Sequence, residues 1–214
     1  MGDGLPMSPD LDAQVRAADH DRWLSSRFVE DACLRADLMA LYAFEAELLA
    51  IPTRVTQPML AEMRYTWWAE QMDGVFSQTP RVGHPVLEAL TAVVTRHGLE
   101  RAPLDALIEA HIDRVHNQPH DLDAFYVGPM QVAARILAGP GHDEAVAAAG
   151  RRWGLIQTGR HDDAAAMRQA ANRGRKTLPT RAFPAVAHAS LSRPDVPEPL
   201  KRLRLFWSVL RGRV

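Results

Sequence analysis

The chain has 214 residues, 47% hydrophobic and 24% charged, with a formal net charge of −1. At ~100–200 residues per domain these values suit one globular domain with a sizeable core, and they exclude a disordered chain. The lone cysteine, Cys33, excludes a disulfide framework and a cysteine-based zinc site, and it fits a reducing compartment.

Taken in chain order, the N-terminus MGDGLPMSPDLD is acidic and lacks both an apolar stretch and Arg enrichment, so it reads as neither a secretion signal nor a transit peptide. Residues 1–12 are expected to be disordered and 13–214 to form one helical domain. Residues 10–32 are polar with apolar returns at Val15, Trp23, Phe28 and Val29. Residues 33–50 place Leu34, Leu38, Leu41, Tyr42, Leu48 and Leu49 at helical spacing, with Cys33 expected in the core, and Pro52 predicts a break or kink. Residues 58–76 start on Pro58, a favourable first helical position. Residues 84–97 form an amphipathic helix closed by Gly98, and 103–117 repeat the pattern. Asp121 or Asp123 is expected to cap a helix reaching Leu137. Residues 142–159 and 161–173 are Ala-rich and helical, and 198–210 form a last basic helix. No run alternates with period two for long, so the fold class is all-α, with seven or eight helices.

Charge is uneven along this chain. Residues 1–150 carry 11 basic and 22 acidic side chains, whereas 151–214 carry 14 basic and 4 acidic. The basic third suits an anionic ligand, an anionic membrane surface or an acidic partner; neutralisation within one fold explains it equally well. Lys201-Arg-Leu-Arg-Leu-Phe-Trp207 has the basic and apolar character of an interfacial helix, although an ordinary last bundle helix is the simpler expectation. The nine histidines show no metal-ligand spacing beyond His116 and His120, which Pro119 separates. Asp162 and Asp163 could bind Mg²⁺, but a helix N-terminus explains the pair as simply. Trp67 and Trp68 sit ~100° apart on a helix, so one is expected to pack inward and the other to line a cavity, with Arg64 in reach of either ring.

Six segments in order carry a resemblance: LMALYAFEAEL at 38–48, Arg64-Tyr-Thr-Trp67-Trp68, His84-Pro85-Val86, Tyr126, Trp153-Gly154-Leu155, and Gly174-Arg175 with Leu178-Pro179. Their order and spacing resemble the squalene/phytoene synthase family over roughly residues 15–182. That resemblance implies a single-domain isoprenoid synthase-like helical bundle with a central cavity. Active members condense two prenyl diphosphates, with Mg²⁺ held by two Asp-rich motifs, because diphosphate leaves poorly until its charge is neutralised. The first motif's aspartates should fall near 49 and 53 and the second's near 166 and 170. This chain has Leu49, Thr53, Ala166 and Ala170 there.

The sequence therefore resembles a divergent branch that includes the mitochondrial complex I assembly factor of the phytoene synthase family. The first expectation is a non-catalytic protein without cofactor that binds an isoprenoid- or lipid-like ligand or a protein partner. Tyr42, Arg64, Trp67, Trp68, Arg160 and Arg175 would make the contacts. The alternative is a working prenyl transferase in which Glu45, Glu47, Asp162 and Asp163 hold Mg²⁺ and Arg160, Arg175 and Lys176 clamp the diphosphate. A cytoplasmic location is expected, with peripheral contact at the inner membrane as a further option, and no nucleic-acid partner.

Overall fold

The computed structural model describes residues 9–191 and 197–211, and among them no strand occurs. In chain order the helices are α1 (Pro9–Ala18), α2 (His20–Ser26), α3 (Ala32–Arg54), α4 (Pro58–Phe76), α5 (Pro85–His97), α6 (Ala102–Val115), α7 (Gly128–Ala138), α8 (Asp143–Gln157), α9 (His161–Lys176) and α10 (Glu198–Arg211). The chain divides into two compact units, one of residues up to 20 with 31–121, the other of 21–30 with residues from 122 on. Within the residues expected to be disordered, 1–8 lie outside the described part and Pro9–Asp12 open α1.

In the first unit α3 is the central element. Asp31 caps it, its carboxylate accepting from the Cys33 and Leu34 amides at 2.7 and 3.1 Å. Residues 37–46 are buried without interruption, so α3 runs through the core instead of lying on it. Leu38, Leu41, Phe44 and Leu48 have no exposure at all, and burying each such side chain contributes ~1.5–3 kcal/mol. Cys33, expected in the core, is exposed because it sits in the first turn, before α3 enters the unit.

Pro52 was expected to break or kink the chain; α3 is not broken there and continues to Arg54. A proline there cannot donate to the carbonyl four residues back, that of Leu48. The Tyr65 hydroxyl on α4 supplies the missing donor, bonding the Leu48 carbonyl at 3.2 Å. Burial pushes the Tyr65 phenol up to about 12 and outweighs Arg114, so it remains a neutral donor. Ala61, Tyr65, Trp68, Met72 and Val75 form the narrow buried stripe of α4. Asp37 ties α3 to α5 through Arg96 and through His97 Nε2 at 2.8 Å. Burial disfavours its charged form, but these two hydrogen bonds prevail and hold the carboxyl below the usual range.

In the second unit α8 and α9 pack as a hairpin against a π-helical turn, Asp123–Val127, and α7. Asp123 does not cap a helix as expected: both carboxylate oxygens accept from Arg151, at 2.8 and 2.7 Å. Two short 3-10 turns, Thr180–Ala185 and Ala187–Ser190, form a buried segment that hydropathy periodicity does not predict. Ser25 on α2 donates to the Pro184 carbonyl, and Arg152 on α8 donates to that of Ala189. His188 is fully buried, edge-on to Trp153 at 5.3 Å, and neither ring nitrogen finds a hydrogen-bond partner among the described residues. Leu205 and Ser208 of α10 are buried, and Lys201 pairs with Asp21 at 2.8 Å.

Candidate functional site: a cleft along α3 and α4

The C-terminal turns of α3, the start of α4 and His84 enclose a cleft of about 500 Å³ within the first unit. That size lies within the usual range for small-molecule sites, ~300–1,000 Å³. Ile51, Val55, Leu60, Met63, Trp67 and Trp68 supply its apolar surface. Leu60 and Met63 are exposed, at 44% and 62%. An amphipathic helix normally turns such side chains inward, so their exposure marks a face built for something other than the core.

Three aromatic rings form one end. Trp68 is buried and meets Phe44 edge-on at 5.5 Å, while Trp67 is half-buried at 5.2 Å from Trp68. The ~100° step between neighbours produces this split, as the sequence predicts. His84 stands 5.7 Å from Trp67 and 5.4 Å from Trp68. Its Nδ1 accepts the Leu87 amide at 3.4 Å, which caps α5 and fixes the ring against the tryptophans.

Charge enters the cleft through Glu47, Arg54 and Arg64. Glu47 accepts from Gln14 at 2.6 Å and pairs with Arg54 at 3.0 Å. Arg64 is exposed and has no hydrogen bond, ion pair or ring contact among the described residues. Neither tryptophan is stacked by it; Arg81 instead lies 6.0 Å from the Trp67 ring. Two arginines against one glutamate make the lining attractive to an anion, and one guanidinium is uncommitted.

The structure therefore brings Arg64, Trp67, Trp68 and Glu47 together, and adds Arg54, His84, Leu60 and Met63. Tyr42 and Glu45 are buried in the central part of α3, at 4% and 5% exposure, and do not line the cleft. In the second unit Arg160 pairs with Asp163 at 2.7 Å, and Asp162 is exposed beside it in the first turn of α9. Both carboxylates sit where the helix dipole favours them. The Arg175 guanidinium lies 5.2 Å over the Phe183 ring. Arg54 could have been found from the sequence seven residues after Glu47, but the break or kink expected at Pro52 removed it from that face.

The family's Mg²⁺ motifs need carboxylates. Leu49 and Thr53 stand exposed on α3, and the Thr53 hydroxyl donates to the Ala50 carbonyl. Ala166 and Ala170 of α9 carry no oxygen donor. Of the nearest acids, Glu45 is buried, Glu47 and Asp163 are paired with arginine, and Asp162 stands exposed in the first turn of α9. Among the described residues no three His, Cys, Asp or Glu side chains are grouped to hold a metal ion. The residues present do not fit a pair of Asp-rich Mg²⁺ sites.

Comparison with known families returns a match to squalene/phytoene synthase over residues 15–127, just over half the chain. The chain belongs to the squalene/phytoene synthase family. The matched stretch contains the whole cleft and ends at Val127, before α8 and α9. The all-helical architecture agrees with the isoprenoid synthase fold of that family. No curated protein and no solved structure matches significantly. Among the described residues no helix is long and apolar enough to cross a membrane.

Proposed function

We propose that this family member is non-catalytic and binds an isoprenoid- or lipid-like ligand with an anionic head in the α3–α4 cleft. One observation carries the reading: an apolar, tryptophan-walled cleft retains two arginines, while positions 49, 53, 166 and 170 hold no carboxylate. The apolar chain would lie along Ile51, Leu60, Met63 and Trp67, and the head would meet Arg64 and Arg54. Binding needs only burial and charge pairing. Ionising an allylic diphosphate needs in addition a concentrated positive field at the leaving oxygen, which Mg²⁺ supplies in the active enzymes. An assembly-factor-like role, in which a protein partner reads the liganded state, is compatible with this assignment.

Farnesyl diphosphate titrated into the full chain tests the reading. Binding should be the same with and without Mg²⁺, weaken roughly 10- to 150-fold in Arg64→Ala, as expected for a charge-assisted contact of ~1.5–3 kcal/mol, and yield no condensed product. The alternative, a Mg²⁺-dependent prenyl transferase using Glu45, Glu47, Asp162 and Asp163, requires Mg²⁺-dependent binding and turnover that Asp162→Ala and Asp163→Ala abolish.

A further inference from the structure

The second unit contains a helix with two apolar faces. The inner face of α10 is fixed: Leu205 and Ser208 are buried, and Lys201 pairs with Asp21 with both side chains only 13% exposed. The outer face is also apolar, with Leu200, Leu203, Phe206, Trp207 and Leu210 between 47% and 62% exposed. At about 100° per residue these five fall within one arc of roughly 120°, opposite Leu205 and Ser208.

Arginines line both margins of this outer arc: Arg202 on one side, Arg204 and Arg211 on the other. The Arg211 guanidinium lies 4.8 Å over the Trp207 ring, and Arg202 pairs with Glu198, the one acidic residue of α10. Arg204 is exposed and makes no such contact among the described residues. A patch of this kind on a soluble surface marks an interaction site. Its form discriminates between occupants. A protein groove receives an apolar stripe without requiring cations on both margins, whereas an anionic bilayer presents phosphates at the level where margin arginines stand and acyl chains beneath. Phe206 and Trp207 are side chains that partition to that boundary.

We infer that α10 lies in the plane of an anionic membrane surface, its outer face inserted at the headgroup boundary and its inner face retained on the protein. This is independent of the cleft in the first unit. It also assigns the basic excess of residues 151–214 a partner.

Sedimentation of the full chain with vesicles tests the inference. Vesicles of phosphatidylglycerol and phosphatidylcholine should bind the protein at least tenfold more tightly than phosphatidylcholine alone. Leu203→Ser with Phe206→Ser and Trp207→Ser, all exposed positions that leave the inner face intact, should lower that affinity at least tenfold. Arg204→Gln with Arg211→Gln should remove most of the preference for anionic lipid and of the salt dependence. Arg64→Ala, in the cleft, should leave vesicle binding unchanged. The inference is overturned by absence of binding to anionic vesicles, by binding that survives the triple substitution, or by a dimer that the triple substitution converts to monomer, which would make the face a contact between copies.

Discussion

Tyr65 shows how a single side chain decides the course of a helix. Pro52 leaves the Leu48 carbonyl without its amide donor, and the Tyr65 hydroxyl replaces it. Tyr65→Phe should lower stability by ~1–3 kcal/mol, the cost of a buried unpaired acceptor. Pro52→Ala restores an amide donor at that position, so the same Tyr65→Phe change should cost less in that background. Urea unfolding of the four chains measures the coupling, and strict additivity would contradict the pairing. Buried histidines set the acid response. Burial, with Arg114 and His120 nearby, lowers His111 to about 3, and burial beside Arg22 lowers His188 well below its ordinary value. Between pH 3 and the ordinary value of 6.5 the unfolded chain binds a proton that native His111 does not, so stability falls as pH drops. From pH 6.5 to pH 5 this amounts to ~2 kcal/mol for His111, and His188 acts in the same direction. The depressed carboxyl of Asp37 acts later: its stabilisation is present above 3.8 and lost as the pH falls through its lowered folded value. The His111 ring stacks on Tyr65 at 5.0 Å, and His111→Phe, which keeps a ring there, should reduce the stability difference between pH 7 and pH 5; an unchanged difference would contradict a neutral buried His111.

Two helices illustrate what the sequence makes legible. The Pro58 start of α4 and the Gly98 terminus of α5 follow from proline and glycine chemistry, and both appear where expected. The span of α3 past Pro52 was not legible, because the compensating donor comes from another helix. Nor was the segment 182–191, buried but for half-buried Ser190, whose short turns accept side-chain bonds at Pro184 and Ala189 and have no periodic signal. The cleft was half legible. Arg64, Trp67 and Trp68 were visible as a cluster, while His84 and Arg54 needed the packing of α5 and the full length of α3 to join them. Within the second unit, glycine permits two close approaches, of α8 to the π-helical turn and of α9 to α8. A Cβ on Gly150 would fall 2.8 Å from the Val127 Cα, and one on Gly174 would collide with the Ala145 backbone carbonyl. Neither neighbour is a flexible side-chain end. Gly174→Ala should therefore destabilise the hairpin by ~1–3 kcal/mol in urea unfolding, whereas Arg173→Ala, at an exposed position, should stay within ~0.5 kcal/mol.

For the molecule as a whole, family membership accounts for the helical architecture, and the residues at the lost carboxylate positions account for the proposed change of role. The cleft falls wholly inside the matched stretch, which supports the proposal that it binds a ligand without the acidic motifs. The most direct measurement is calorimetric titration of farnesyl diphosphate into the full chain, with and without Mg²⁺, on the unaltered protein and on Trp67→Ala. The account predicts binding that is indifferent to Mg²⁺ and several-fold weaker in Trp67→Ala. Binding that appears only with Mg²⁺ and is followed by release of diphosphate would contradict it.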